Sequence, residues 1–205
     1  MKNKNKGKKG NCLDEMQPAE IMNEICDRKL DGLMVHSDCA DIFNLLNLHG
    51  FKRKHEYRHF EEEKEFVSIK KWIIERYGVI PSLHNGERFE INPKNVKQDG
   101  RRGKISKDNK ILVIKSVFEE LIKWEEETLE FLSECYKILS HHYHIADAKR
   151  VCELIEATDI EIKKLKREYH ELKDVDFDLI FIYQMQKRIH DHHKEKMHEM
   201  SMCTI

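Results

Sequence analysis

Four ionisable residues fall where a helix would present its core face. Glu62 shares a helical stripe with Phe66 and Ile69 on one side and with Arg58 and His55 on the other. Glu125 lies among Leu121, Ile122, Leu129 and Leu132, and His36 among Leu33, Ala40 and Phe43. Glu161 flanks the stripe of Thr158, Ile162 and Leu165. A buried carboxylate costs several kcal/mol unless a metal or a basic partner keeps it charged, or it protonates. Carboxylate and imidazole donors together suit iron, manganese or zinc. The competing reading is a solvated one. Glu61 to Glu63 and Glu125 to Glu127 are runs of glutamate, so a shift of one residue in phase selects an exposed neighbour. A second group, His55, Glu56, His59 and Glu62, has the spacings of one helix face, but Glu56 points away from Glu62 by phase.

The elements that must position these residues are helices. The chain after Gly103 contains no glycine or proline, while residues 78 to 103 collect Gly78, Pro81, Gly86, Pro93, Gly100 and Gly103. Apolar spacing predicts a first helix after Gln17-Pro18, with Met22, Cys26, Leu30, Leu33, Ala40 and Phe43 on its buried stripe. Gly50 is the expected left-handed stop. A second helix is expected from Phe51 to about Tyr77, a third over roughly 114–139 and a fourth over roughly 147–172. A shorter fifth begins near Asp176, whose side chain is the expected cap. The long connection, 78–113, can run the length of a bundle of such helices. The expected architecture is all-α: a four-helix bundle over 17–172 with a long crossover between helices two and three, plus a short C-terminal helix within 173–205. Residues 1–16 read as a basic disordered tail.

With the first turn centred on Gly50, His36 and Glu62 stand level within about 3 Å. Glu125 and Glu161 are equidistant from a second turn near Tyr143 and are level too. One histidine and three glutamates, one from each helix, are therefore expected at mid-bundle.

Composition narrows the field. The 205 residues carry 37 Lys and Arg against 38 Asp and Glu, so a strongly basic nucleic-acid domain is not indicated. Eight glycines and three prolines are too few for an all-β chain rich in turns. No apolar run approaches the roughly 18 residues of a membrane helix. Six cysteines without a Cys-x-x-Cys pair suggest reduced thiols and a cytoplasmic location. No serine or cysteine lies in a setting that would activate it as a nucleophile.

Three stretches carry a family likeness. Gly50-Phe51-Lys52-Arg53, Phe60-Glu61-Glu62-Glu63-Lys64-Glu65-Phe66 and Glu75-Arg76-Tyr77-Gly78 together resemble the second helix of ferritins. Trp124-Glu125-Glu126 is similar to the metal-binding stretch of their third helix, and Ile160 to Leu165 to the fourth. The resemblance to the ferritin-like superfamily spans about residues 20 to 172. It implies iron as cofactor (a di-iron centre, or manganese or zinc) and iron oxidation or sequestration as activity. Its metal set here is His36, Glu62, Glu65, Glu125 and Glu161. The chain departs from the pattern where the ferritin second helix has a ligating His, which falls here on Glu65 or Phe66. The first-helix Glu is also missing, with His36 as substitute and Asp27 or Asp31 as alternatives.

These departures keep a second function open: a non-catalytic helical scaffold or assembly protein that has lost the metal. A homo-oligomer is expected in either case, and no membrane association. The tail lysines Lys2, Lys4, Lys6, Lys8 and Lys9 offer a contact for nucleic acid, with simple solubility as the plainer role. His190, His192, His193 and His198, with Glu195, read as an exposed, adventitious metal cluster. Apolar residues between Leu179 and Ile189 call for docking of the fifth helix on the bundle or on a partner.

Overall fold

A computed structural model describes Leu13 and residues 16–83, 98–99 and 104–202. It contains five helices: α1 (Pro18–Leu45), α2 (His49–Tyr77), α3 (Lys107–His141), α4 (Ile145–Asp174) and α5 (Leu179–Met202). Between α2 and α3, Gln98–Asp99 (β1) and Lys104–Ile105 (β2) form a two-residue antiparallel pair. α1 packs along α2 and α3 along α4, so each tight turn makes a helical hairpin.

Cross-helix contacts fix how the hairpins meet. α1 runs antiparallel to α3, since Lys110 reaches the Leu46 carbonyl while Arg28 reaches Thr128. α2 runs antiparallel to α4, since Lys54 meets Glu168 while Trp72 meets Asp147. The result is the expected all-α bundle with one long crossover.

Two turns differ from expectation for physical reasons. The left-handed residue after α1 is Asn47, at φ 56°, not Gly50. Gly50 lies inside α2, and a Cβ there would stand 1.8 Å from the Gln186 carbonyl oxygen. Glycine is required at that point by the close approach of α5, and the Gly50 N–H donates to Gln186 Oε1. The cap of α5 is Asp178, not Asp176: its Oδ1 accepts from the N–H groups of Ile180 and Phe181. Asp176 and Phe177 instead take positive φ in the preceding turn. α3 starts about two turns earlier than expected, where Ser106 caps it by accepting from Asn109 N–H.

The core is divided. One apolar cluster gathers Phe43, Phe51, Phe118 and Leu165 with Phe177, Ile182 and Met185 near α5. A second joins Ile21, Ile25, Ile69, Ile73, Leu132 and Val151 at the opposite end. Leu13 and Met16 pack against that second cluster, so the end of the expected tail is not free. The rest of that tail lies outside the described residues. At the lower end Asp147, fully buried, accepts from Trp72, Arg76 and Tyr77 and ties the end of α2 to the start of α4.

Candidate functional site

Between the two apolar clusters lies a layer of buried polar groups: Lys29, His36, Lys54, His55, Glu62, Glu125, Thr128, Thr158 and Glu161. The sequence-derived candidates His36, Glu62, Glu125 and Glu161 are all in it. Glu65 stands at its edge, a quarter exposed. Phe66, the other residue at the position of the ferritin histidine, packs on the lower apolar cluster.

Their levels differ from the sequence estimate. The turn centres before Gly50, so His36 stands level with His55, and Glu62 stands level with Lys29. Glu62 is thus displaced about 10 Å along the bundle from the imidazoles, at 1.5 Å per residue.

Three basic side chains enter the layer, and each lies among carboxylates. Lys29 Nζ is 3.2 Å from Glu62 Oε2 and 2.6 Å from Glu65 Oε2. Room for this arrangement comes from Gly32, where a Cβ would stand 3.1 Å from Glu62 Oε2. Arg58 donates to Glu61 and Glu62, at 2.7 and 3.1 Å, and its Nε is 3.9 Å from Glu161. Lys54 Nζ is 2.7 Å from Glu168 and 3.9 Å from Glu161. Of the layer's buried carboxylates, Glu62 and Glu161 are therefore accompanied by cations of the chain itself, while Glu125 faces His36.

The imidazoles pair with each other. His36 Nδ1 and His55 Nδ1 are 3.1 Å apart, so one ring donates to the other. His36 Nε2 faces Glu125 Oε1 at 3.6 Å. Phe43 stacks on His55 from the other side. Of the second histidine group, His55 and Glu62 lie in the layer, while His59 bonds the Leu33 carbonyl and Glu56 pairs with Lys52 at the surface.

The electrostatics follow from this packing. Burial alone would favour neutral Glu161, but Lys54, Arg58, Lys164 and His36 outweigh it and hold the carboxyl at about 2. Burial lowers the affinity of Lys29 and Arg58 for their protons, yet the surrounding glutamates overcome it and raise both. His55 goes the other way. Burial, with His36, Lys54, Arg58 and His193 nearby, drives it well below its ordinary value, so the ring is neutral.

The donor set as arranged does not suit a transition metal. A metal needs free lone pairs converging on one point, and here an ammonium or guanidinium already sits against Glu62 and Glu65, with others 3.9 Å from Glu161. Among the described residues no group of three or more His, Cys, Asp or Glu converges as metal ligands would. Lys29 and Lys54 escaped the sequence reading because a lysine on a stripe suggests solvent. The readable signal was phase: Lys29 follows Cys26 by three residues and precedes Gly32 and His36 by three and seven, all buried. The adjoining Leu30 and Leu33, expected on that stripe, are only half-buried.

By sequence, no protein-family model and no curated protein matches this chain. By structure, it is similar to a novel open pore ferritin from the hyperthermophilic archaeon Archaeoglobus fulgidus, at a TM-score of 0.68 and 13% identity. That superposition covers 84% of this chain and 95% of the ferritin. With two antiparallel hairpins, a long crossover and a polar layer at mid-height, the chain has the ferritin-like fold.

Proposed function

We propose that this chain is a non-catalytic helical scaffold of ferritin-like fold, whose mid-bundle carboxylates are neutralised by its own side chains instead of by iron. The observation that carries the reading is the lodging of Lys29, Lys54 and Arg58 among Glu62, Glu65, Glu161 and Glu168. Metal-ion catalysis needs an open coordination position. An ammonium held at 2.6 Å from a carboxylate takes up that position and repels a second cation.

The assembly part of the reading is supported by the outer face of α2. Phe60, Val67 and Ile74 are 42%, 54% and 41% exposed and follow one another at seven-residue spacing. An antiparallel second copy centred on Val67 places Phe60 opposite Ile74 and Glu63 opposite Lys71, twice over. A homo-oligomer closed by α2 satisfies both the apolar stripe and these charges.

The test is ferrous loading of the full chain without oxygen, followed by elemental analysis and sedimentation of the same sample. The expected outcome is well under one equivalent of iron, the same in Glu62→Ala/Glu125→Ala, and an oligomer that Val67→Asp dissociates. About one or two equivalents of iron, manganese or zinc, lost in the double variant, would overturn the reading in favour of a mid-bundle metal centre.

A further inference from the structure

A cleft of about 430 Å³ opens between α2, α4 and α5, within the size range of small-molecule sites. Its floor is the edge of the polar layer: Lys54, Arg58 and Glu161 line it. Six Lys and Arg line the cleft against four Glu, so the walls carry a positive balance. Tyr57 adds an aromatic wall, with Lys196 Nζ 5.2 Å from its ring centroid and the His193 ring 5.5 Å away.

Two atoms at the floor are buried and unsatisfied. Arg58 Nε has no acceptor and Glu161 Oε1 has no donor, although both belong to ionised groups. Unsatisfied buried polar atoms are rare in native proteins and call for an explanation. The first needs an anionic oxygen and the second needs an O–H. A sulfate or a carboxylate supplies only the former. A hydrogen phosphate, or a phosphate ester of a hydroxylated molecule, supplies both.

We infer that the cleft between α2, α4 and α5 is a binding site for a small phosphate, with Arg58 receiving its anionic oxygen and Glu161 accepting its hydroxyl. Lys54 stands behind as a fixed positive charge. On the rim, Lys164 and Arg188 are held near Glu161 and Glu171, at 3.7 and 2.8 Å, and supply further donors. Docking of α5 completes the site, since Arg188, His192, His193 and Lys196 all come from it. This assignment stands whether or not the bundle also binds metal.

Calorimetric titration of the full chain at constant ionic strength tests it, with inorganic phosphate, ribose 5-phosphate and sulfate as probes. Saturable binding of a phosphate is expected, with sulfate weaker by about tenfold for the missing hydroxyl hydrogen bond to a charged acceptor. Tighter binding of inorganic phosphate identifies the free ion as ligand, and tighter binding of the ester identifies an organic phosphate. Lys164→Glu/Arg188→Glu, at exposed rim positions, should lower the affinity by about tenfold or more without changing the helical content. Absence of saturation in the millimolar range, equal binding of sulfate, or affinity untouched by the rim variant would each overturn the inference.

Discussion

Lys29 is the residue on which the layer turns. Its stem runs between Cys26 and Gly32 on the inner face of α1, and its ammonium meets Glu62 and Glu65 of α2. Removing one partner of a buried ion pair leaves the other desolvated and uncompensated. Lys29→Met leaves Glu62 with Arg58 alone and Glu65 partly open to water, so the cost in urea unfolding should stay below about 3 kcal/mol, where that of a fully uncompensated buried charge begins. Adding Glu62→Gln to that variant should recover part of the loss, because the stranded charge is then gone. The two substitutions adding without recovery would mean that Lys29 and Glu62 do not depend on each other. The same logic explains what was legible in the sequence. Glu62, Glu125, Glu161 and His36 stood out because acids and imidazoles on an apolar stripe have few reasons to be there. Lys29 and Lys54 did not, because a long lysine side chain ordinarily reaches water from almost any helix position.

At the level of elements, α5 is more than an appendage. It packs on α2 at Gly50, where backbone meets backbone, and places Ile182, Met185 and Ile189 in the upper apolar cluster. Gly50→Ala puts a methyl group into the Gln186 backbone, so α5 must move outward or α2 must bend. The expected result is faster proteolysis and faster amide exchange within α5 while α1 to α4 keep their protection. Unchanged exchange in α5 would show that the approach is looser than 1.8 Å implies. Helix positions were readable from the 3.6-residue period and from the glycines and prolines between the hairpins. Turn chemistry was not. A glycine three residues after an asparagine looked like the left-handed stop, while the reason for Gly50 lay more than 130 residues away in α5, beyond the reach of local pattern.

Across the whole molecule, the polar layer makes stability depend on acid. Glu161 is held at about 2, so its contribution is complete above its unfolded value of 4.5 and is lost as the pH falls through about 2. His55 is depressed below 6.5, so from there downward the unfolded chain binds a proton that the folded one refuses. Stability therefore falls as the pH drops below 6.5, first through His55 and later through Glu161. The thermal midpoint followed by circular dichroism should decrease from about pH 7 to about pH 5, and His55→Phe should reduce that slope, leaving the part due to His193, which burial also holds below its ordinary value. An identical slope in the variant would assign the titration to another group. The bundle is thus two apolar ends joined through a charged waist, and the waist titrates.

That waist has a consequence for how the protein comes into being. A bundle neutralised by ions must find them in its surroundings, in the right number and of the right kind, before its interior is complete. Here Lys29, Lys54 and Arg58 are translated with the carboxylates they accompany. The positive charge at the centre is inherited and cannot be chelated, exchanged or starved away.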